Sequence, residues 1–426
     1  MTTAAAQQKH IVVIGAGIIG AATAQRLLAE GHRITLIEPG RPGGEQAASH
    51  GNGAFLSPAS IIPMSAPGLW KKVPGYLLDP SGALTIRWRH LPRLAPWLWR
   101  FLRAGATRAR VERTAAALAQ LLEAAPQRHL RLAAAIGRSD LIRQEGLIYA
   151  FRDRQEVLAD GLSWELRRRH GVAMQELDAG ALHRLVPDLS PHYTCAILVT
   201  DGGHCTDPGG YVAALVDWAR ARGAELRQTR ATGFDIRDGR LRAVRTEAGD
   251  IPCDGAVIAC GVRSKPLAAA AGDRVPLESE RGYCVEIRDP AVAPRIPVMP
   301  QDGRMANVMT RGGLRASGQV ELASADAPPD WHRADILLGH LRTAWPALAG
   351  EGGAPQVARW QGNRPSTPDG RPVIATASGC VDVIHAFGHG HIGLVSAPMT
   401  AKLVADLVAR RAPDLDLGAF AATRFR

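Results

Sequence analysis

The sequence is poor in lysine and in aromatic residues, and its cysteines form no recognisable motif. Only five of its 51 basic residues are lysines, and aromatic residues make up 5% of the 426-residue chain. None of the six cysteines forms a Cys-x-x-Cys pair, so we expect free thiols in a reducing compartment and no metal site. So few aromatic side chains leave few platforms for stacking bases. We therefore expect no nucleic-acid partner, although the formal net charge is +11.

Long apolar runs are also missing. The apolar run at residues 11–24 contains three glycines and is too short to span a bilayer, and residues 1–10 do not match the signal-peptide pattern. At 46% hydrophobic residues the chain can still bury a large core over two or three compact units. We expect a cytoplasmic protein, and a peripheral position at the inner membrane stays open.

The first recognisable motif is a Gly-Ala-Gly-Ile-Ile-Gly run at residues 15–20, directly after a β-branched strand predicted for residues 11–14. A helical pattern at 21–30 and a second predicted strand at 33–38 complete a β-α-β unit. The glycines allow a pyrophosphate to approach the helix N-terminus, and an acid after the second strand accepts hydrogen bonds from a ribose diol. The unit therefore predicts an adenine-dinucleotide site and disfavours NADP. Its predicted cofactor contacts are Gly15, Gly17, Ile18, Gly20 and Glu38.

Two further glycine-rich segments favour FAD over NAD. Residues 254–261 have the pattern of a buried strand ending in a turn, and a predicted strand at 381–387 leads into Gly-His-Gly-His-Ile-Gly and a helix at 394–410. No βα strand follows that helix, which disfavours a second nucleotide site. A helix N-terminus suits the negative charge of a reduced flavin. A strand predicted at residues 223–232 precedes the first of these segments. The cofactor contacts predicted from this strand and the two segments are Ala231, Cys260, Gly261, Gly388, His389, Gly390 and Ile392.

Taken together, the segments resemble the FAD-dependent amine oxidoreductases, a family that includes D-amino-acid oxidase, glycine oxidase, sarcosine oxidase and bacterial D-amino-acid dehydrogenase. Residues 49–54 are similar to the family's Ser-x-x-Asn-x-Gly loop beside the flavin, and residues 207–211 to its Asp-Pro helix start. Residues 363–374 resemble its Arg-Pro-x-Thr-Pro-Asp-Gly signature. Residues 280–283 and 313–321 are most similar to the D-amino-acid dehydrogenase branch. The resemblance adds Ser49, Gly51, Asn52 and Gly53 to the predicted flavin contacts.

The resemblance implies an α/β (α+β) fold, in which a Rossmann-like FAD-binding domain is interleaved with a discontinuous antiparallel-sheet substrate domain. No cysteine lies near residues 360–364, where covalent-flavin sarcosine oxidases carry one, so noncovalent FAD is implied. We predict the FAD-binding domain at residues 1–60, 203–270 and 350–426, and the substrate domain at residues 61–202 and 271–349.

Four residues are candidates for the catalytic site. Oxidation of a Cα–N bond by hydride transfer to flavin N5 needs mainly a well-positioned substrate, and a guanidinium binds both oxygens of a carboxylate. Arg315 lies mid-strand, where a charge must be paired, so it is predicted either as that clamp or in a strand-face ion pair. Arg364 and Tyr283 are predicted at the carboxylate site, with structural roles as the alternative. His50 is predicted to contact the active site from its glycine-rich loop.

The function implied is that of an FAD-dependent D-amino-acid dehydrogenase, which oxidises a D-amino acid to the imino acid. D-proline and hydroxy-D-proline are candidate substrates, and the resemblance implies a quinone as electron acceptor. Two alternatives stay open. One is a glycine- or sarcosine-type amine oxidase that produces hydrogen peroxide, and the other is the flavin subunit of a hetero-oligomeric, electron-passing dehydrogenase.

Residues 84–103 form a segment of unusual composition. They include three of the nine tryptophans and five arginines, without any acid. Tryptophan and arginine on a short amphipathic segment are typical of peripheral membrane contact. A helix packed on its own domain is the alternative, and it is favoured because Pro92 and Pro96 are expected to break a long helix.

Overall fold

The computed structural model describes residues 8–71, 75, 82, 84–349 and 356–426. The stretches of the predicted domains at 1–7, 72–74, 76–81, 83 and 350–355 lie outside the described residues. The chain divides into two compact units, which we call the first and the second unit. The first unit comprises Met1–His50, Gly209–Glu278 and Arg364–Arg426, and the second comprises Gly51–Pro208 and Ser279–Asn363.

These units differ from the predicted domains at each boundary. Residues 51–60, 203–208 and 356–363, which the sequence assigned to the FAD-binding domain, lie in the second unit. The physical reason at two of these places is one small antiparallel sheet, because Phe55–Leu56 pairs with Gly203–Cys205 and thereby ties both segments together. Residues 271–278, assigned to the substrate domain, lie in the first unit.

The strands of the described residues are numbered in chain order. They are β1 His10–Ile14, β2 Arg33–Ile37, β3 Phe55–Leu56, β4 Leu84–Ile86, β5 Ile142–Arg143, β6 Leu147–Phe151, β7 Met174–Asp178, β8 Cys195–Val199, β9 Gly203–Cys205, β10 Glu225–Arg227, β11 Ala231–Arg237, β12 Arg240–Thr246, β13 Ile251–Pro252, β14 Gly255–Ile258, β15 Glu278–Ile287, β16 Val298–Pro300, β17 Ala306–Thr310, β18 Gly313–Leu322, β19 Val357–Ser366, β20 Val373–Ala377 and β21 Cys380–Phe387.

The α-helices of the described residues are numbered in the same way. They are α1 Ile18–Ala29, α2 Leu91–Ala104, α3 Arg108–Leu122, α4 Ala125–Ala135, α5 Arg154–Ala159, α6 Gly161–Arg169, α7 Ala179–Leu185, α8 Pro208–Arg220, α9 Ser264–Ala270, α10 His332–Ala344 and α11 Gly393–Val408.

The first unit is built on a six-stranded sheet in the order β10-β2-β1-β14-β21-β20. The first five strands of that order are parallel, and β20 pairs antiparallel with β21 at one edge. Residues 11–14 of β1 are all apolar and all buried, as is typical of a parallel strand covered on both faces. Helix α1 packs against α11. A separate antiparallel sheet, β11-β12-β13, completes this unit.

Helix α11 belongs to the core of the first unit. Together with the short turn before it, Gly390–Val408 is long and apolar enough by composition to cross a membrane, but 72% of that stretch is buried in the structure. It packs against α1, β20 and β21. The apolar composition of α11 is therefore that of a core helix.

The second unit contains a nine-stranded sheet in the order β19-β15-β18-β17-β16-β6-β8-β7, with β4 beside β18. The sheet is mixed and not purely antiparallel as expected, because β16 runs parallel to β6 and β4 runs parallel to β18. On one face, side chains of β15, β17 and β18 pack with α10 in a core that includes Tyr283, Leu337 and Trp345. The opposite face carries Arg315 and Ser317, whose contacts are described below.

Helix α2 differs from its prediction. The sequence predicts that Pro92 and Pro96 break any long helix here, yet α2 continues over 14 residues with Pro96 inside it. Pro92 stands in the first turn, where the missing N–H is one of the groups that a helix leaves unsatisfied. The helix is held by its apolar face, since Leu94 and Trp97 pack with Ile86. Tertiary packing therefore outweighs the hydrogen bond that Pro96 cannot donate.

The C-terminal residues of the first unit are fixed by a buried carboxylate. Asp369 accepts hydrogen bonds from Arg371 at 2.7 Å and from Arg424 at 2.9 Å, and its side chain is only 11% exposed. Burial alone would raise the pKa of Asp369, but the charges and hydrogen bonds of Arg424 and Arg371 outweigh it and lower that pKa to about 2. Because the folded-state pKa lies below the usual value, the stabilisation is present above about pH 4 and is lost as the pH falls towards 2.

We expect Asp369→Asn to lower the free energy of unfolding by about 2 kcal/mol at pH 7, as a pKa difference of this size requires. The difference from the wild type should shrink as the pH falls below about 4, because the wild-type carboxyl becomes protonated. Urea unfolding at neutral and acidic pH measures both effects. The exposed Asp250→Asn serves as control, and equal destabilisation by both variants would contradict the assignment.

Candidate functional site

The first unit collects four chain turns at one edge of its parallel sheet. Strands β1, β2, β14 and β21 run in the same direction, so Gly15, Glu38, Cys260 and Gly388 all follow strand ends at that edge. The carboxyl edge of an open parallel sheet is where ligands bind in such folds. Residues that lie 373 positions apart in the chain thus reach one place in the fold through strand order alone.

The three glycines of the Gly-x-Gly-x-x-Gly motif at residues 15–20 have different reasons to be glycine. Gly15 has a φ of +101°, and a Cβ there would lie 2.6 Å from the carbonyl oxygen of Ala259. A Cβ on Gly20 would lie 1.8 Å from the carbonyl oxygen of Gly15. A Cβ on Gly17 would meet only Ser49 Oγ, at 3.6 Å. The fold itself therefore requires Gly15 and Gly20, whereas at Gly17 the protein leaves open space.

The N-terminus of α1 is tied to two of the predicted contacts. The N–H of Ile18 donates to Ser49 Oγ at 3.1 Å, and the N–H of Ala16 donates to Glu38 Oε2 at 3.0 Å. Gly17, the N-cap residue, has no side chain with which to cap the helix, and the first turn holds no acid. A buried helix start of this kind suits an anion, because the positive end of the helix dipole is not neutralised by its own residues.

The segment before α11 lies against the segment that follows Arg364. Ser366 and His389 form an isolated β-bridge. Gly388 adopts a φ of +82°, and a Cβ there would lie 2.9 Å from Thr367 Cγ2. His389 is buried, and its Nε2 lies 3.1 Å from Thr400 Oγ1. Burial lowers the pKa of His389 to about 3, so the ring is neutral at physiological pH.

The remaining predicted residues of the first unit take mostly structural positions. The Sγ atom of Cys260 lies 3.4 Å from Ser264 Oγ. Burial raises the pKa of the Cys260 thiol to about 11, so this thiol is unreactive. Gly261 turns the chain with a φ of +57°, and Ala231 begins β11. The Nδ1 atom of His50 lies 3.0 Å from the carbonyl oxygen of Gly43. Ile392 is buried just before α11, and Arg364 is partly exposed in β19.

The predicted flavin loop at residues 51–54 belongs to the second unit, where it forms a tight turn. Asn52 Oδ1 accepts a hydrogen bond from the N–H of Ala54 at 2.8 Å, and Ala54 has a φ of 60°. A Cβ on Gly51 would lie 2.0 Å from the ring of Trp360. The close packing of this indole therefore explains why position 51 requires glycine.

Arg315 lies on the sheet face beside this turn and is paired. Its Nε donates to Glu286 at 2.8 Å, its Nη1 donates to the Asn52 carbonyl at 3.2 Å, and its side chain is 9% exposed. Ser317 donates to the Gly51 carbonyl at 3.3 Å. Of the two roles predicted for Arg315, the structure shows the strand-face ion pair. The role of carboxylate clamp has no support in these contacts.

Arg315→Met should therefore act on stability before it acts on substrate binding. It leaves Glu286 largely buried without its cation, so we expect the free energy of unfolding to fall by about 2 kcal/mol. Adding Glu286→Gln should recover part of that loss, and a double-mutant cycle by urea unfolding measures it. A substrate KM that rises more than tenfold with unchanged stability would contradict the ion-pair role.

Of the two roles predicted for Tyr283, the structure shows contacts that fit the structural one. Its hydroxyl donates to Glu321 at 2.5 Å and accepts a hydrogen bond from the N–H of Asp330 at 2.9 Å. The side chain is 1% exposed and packs in the core on the α10 side of the sheet. Burial, with the hydrogen bond to Glu321, raises the pKa of Tyr283 above its usual value. The hydroxyl is thus committed to an internal carboxylate.

Comparison with known proteins agrees with the dinucleotide-type edge of the first unit. The family model described as "FAD dependent oxidoreductase" matches residues 10–407, and the chain belongs to that family. It is therefore an FAD-dependent oxidoreductase. A D-amino-acid oxidase of Bradyrhizobium diazoefficiens is 48% identical over 98% of this chain and 99% of the relative.

More distant relatives share the whole length of the chain. A D-amino acid dehydrogenase of Rhizorhabdus wittichii is 28% identical over 97% of this chain and all of the relative. The crystal structure of glycine oxidase from Geobacillus kaustophilus superposes with a TM-score of 0.74 at 22% identity, covering 98% of this chain and 99% of that one. At that identity the superposition shows the fold alone, and it agrees with the predicted α/β architecture.

The residues at the first unit's sheet edge fit the dinucleotide part of FAD. The start of α1, where the N-cap residue Gly17 has no capping side chain, suits a pyrophosphate, and the open side of Gly17 leaves room for its approach. Glu38, directly after β2, accepts hydrogen bonds from the N–H groups of Ala16 and Gly40, and a carboxylate has about four acceptor positions. Glu38 therefore keeps capacity for a ribose hydroxyl. Among the described residues no group of three or more acidic, histidine or cysteine side chains could hold a metal ion.

Two residues of the second unit that contact predicted site residues could not be recognised in the sequence. Glu286 pairs with Arg315, and Trp360 fixes the turn at residues 51–54 through its contact with Gly51. Glu286 and Arg315 are direct partners across β15 and β18. A signal was present, because both charges interrupt apolar strands, but their partnership depends on a strand register that the sequence does not reveal.

Proposed function

We propose that this FAD-dependent oxidoreductase oxidises D-amino acids to imino acids. The observation that carries the proposal is the 48% identity to a D-amino-acid oxidase over almost the full length of both chains. The lower identity to a D-amino acid dehydrogenase, again over the full length, supports the same substrate class. D-proline and hydroxy-D-proline remain candidate substrates within that class.

We assign the adenosine and pyrophosphate part of FAD to the residues between β1 and β2. Glu38 would hold the ribose, and the first turn of α1 beside Gly17 would hold the pyrophosphate. When bound, FAD accepts a hydride from the substrate Cα. His389 and Gly388–Gly390 would meet the cofactor mainly through backbone groups, since the His389 ring is buried and neutral.

The chain supplies little acid–base chemistry at these positions. The ring of His389 is neutral at pH 7, because burial lowers its pKa to about 3. A neutral amine can release a hydride from its Cα without a strong base nearby, provided that it is held in place. Arg364 is the remaining predicted arginine for the substrate carboxylate, because Arg315 is paired with Glu286.

The electron acceptor has two candidates. The relative at 48% identity is an oxidase, which favours dioxygen. The predicted quinone has the support of a dehydrogenase at 28% identity. The acceptor is therefore the point on which the dehydrogenase and oxidase alternatives differ, and it can be measured separately from the substrate.

Anaerobic mixing of the holoenzyme with a panel of D- and L-amino acids tests the proposal. We expect D-amino acids, with D-proline and hydroxy-D-proline in the panel, to bleach the visible absorption of the flavin, and L-enantiomers to leave it unchanged. Bleaching by glycine or sarcosine alone would replace the proposed substrate class. Air oxidation with peroxide formation then separates an oxidase from an enzyme that needs a dye acceptor. Dye-linked turnover by the isolated chain would remove the need for a partner subunit.

Arg364→Gln in the same assay tests the assigned carboxylate contact. We expect KM for a D-amino acid to rise at least about tenfold, because the charge-assisted pair to the carboxylate is lost. Arg364→Lys should recover part of the affinity, since it keeps the charge without the planar fork. Flavin content is the control. Unchanged KM in Arg364→Gln with full flavin content would remove Arg364 from the substrate site.

A further inference from the structure

Helix α2 presents apolar side chains on two opposite faces. One face packs into the second unit, where Leu94 and Trp97 are buried against Ile86 and Leu322. The other face points to solvent, yet it also carries apolar residues. Helices of soluble domains usually place polar residues there. The buried side accounts for the folding of α2 and leaves the composition of the exposed side to be explained.

The exposed face forms one continuous stripe. Trp88 stands in the short 3-10 helix directly before α2, and Pro92, Pro96 and Trp99 follow at steps of four, four and three residues, all of them exposed. Residues at this spacing lie on the same side of a helix. Trp88 and Trp99 are 65% and 63% exposed, which is unusual for the largest apolar side chain. A contiguous apolar surface of this kind marks an interaction site.

Arginines flank the stripe and carry uncompensated charge. Arg89, Arg93, Arg100 and Arg103 are exposed, and in the described part of the chain none of them pairs with a carboxylate. No acidic residue occurs between residues 84 and 111. Elsewhere on the surface arginines do pair, as Arg108 does with Glu112 directly after this region. The charge at α2 is therefore a local feature and not only the chain's average composition.

We propose that the stripe Trp88–Pro92–Pro96–Trp99, with its four flanking arginines, docks this protein on an anionic lipid bilayer surface. Charge complementarity selects an anionic partner, and exposed tryptophans between arginines suit the interface of a bilayer, where indole rings sit at headgroup depth while guanidiniums meet phosphates. The helix lies flat on such a surface, because its opposite face is already buried in the protein. The proposal is independent of the amino acid that is oxidised.

The test uses the FAD-loaded full chain and vesicles of two compositions. We expect the protein to sediment with vesicles of equal parts phosphatidylcholine and phosphatidylglycerol, and not with phosphatidylcholine alone. Added salt should weaken the binding, because the surface potential is screened. Brominated lipid in the mixed vesicles should quench tryptophan fluorescence, and this quenching should disappear in Trp88→Ser/Trp99→Ser, with binding at least about tenfold weaker.

Matched variants separate the stripe from overall charge and apolarity. Arginine-to-glutamine replacement at all four flanking positions should weaken binding about 100-fold, since each arginine near an anionic surface contributes several-fold. The control removes the same charge elsewhere, at the exposed residues Arg168, Arg230, Arg242 and Arg274. Leu158→Ser, at a side chain 61% exposed, is the apolar control. Flavin content and Tm of each variant verify folding.

Several outcomes would overturn the proposal. Wild-type protein that stays in solution with the mixed vesicles overturns it, and so does a four-arginine stripe variant that binds as well as its charge control. Binding to soluble polyglutamate without vesicle binding would assign the surface to an acidic protein partner. A wild-type dimer that becomes a monomer in Trp88→Ser/Trp99→Ser would assign it to a second copy of this chain.

Discussion

Gly17→Ala is expected to deprive the protein of its FAD while leaving the polypeptide fold intact. The new methyl group would meet only Ser49 Oγ at 3.6 Å, which is an ordinary van der Waals distance. The backbone at Gly17, with φ of −70° and ψ of −177°, is open to any residue. On its solvent side, however, the methyl group would occupy the space through which a pyrophosphate reaches the first turn of α1. We expect Kd for FAD to rise at least about 100-fold.

The measurement is FAD binding to deflavinated protein, followed by fluorescence, together with Tm of the apo form. Gly233→Ala is the control in the same unit, because a Cβ there meets nothing within 4 Å. Gly20→Ala is the contrasting variant, since its methyl group would lie 1.8 Å from the Gly15 carbonyl oxygen and should destabilise the apo protein as well. Normal FAD affinity in Gly17→Ala would remove the pyrophosphate from this helix start.

The local parts of the first unit were predictable from the sequence. A buried strand, three glycines, a helix and a terminal acid lie within residues 11–38, so their contacts depend on short-range geometry, and the structure places Glu38 against the Ala16 N–H. The same applies to the glycine turn before α11. Each of these features is encoded by neighbours in the chain, and no distant pairing is needed to recognise it.

The second unit could not be predicted in the same detail, because its contacts depend on strand register. Arg315 and Glu286 meet only because β15 and β18 pair in that alignment. A register shift between Arg281 and Tyr283 then places Tyr283 opposite Gly318. Since neighbouring strand residues point to opposite faces, a shift of one residue decides whether a side chain enters the core. Tyr283 was assigned to the substrate for want of that information.

Glu321→Gln is expected to lower the free energy of unfolding by about 3–5 kcal/mol, because it leaves a buried guanidinium without its counter-charge. Glu321 is fully buried and binds Arg281 at 3.1 Å, as well as Arg87 and the Tyr283 hydroxyl. Arg281 is itself fully buried and further donates to the carbonyl of Ala327 at 2.8 Å. One carboxylate thus compensates two arginines.

Urea unfolding of Glu321→Gln measures the effect against Glu176→Gln, whose partner Arg154 is 74% exposed. An exposed pair contributes about 0–1 kcal/mol, so the control should change little. Replacing both Glu321 and Arg281 by methionine should recover at least half of the loss, because a buried ion pair can often be exchanged for apolar side chains. A small effect of Glu321→Gln would mean that water compensates these arginines.

Tyr283→Phe then separates the structural role from the substrate role first predicted for this residue. Loss of the hydroxyl removes a donor to Glu321 and the acceptor of the Asp330 N–H. The free energy of unfolding should therefore fall by about 1–2 kcal/mol. KM for a D-amino acid should stay unchanged, because the hydroxyl is committed to Glu321 inside the core. The opposite pattern, unchanged stability with a raised KM, would return Tyr283 to the substrate site.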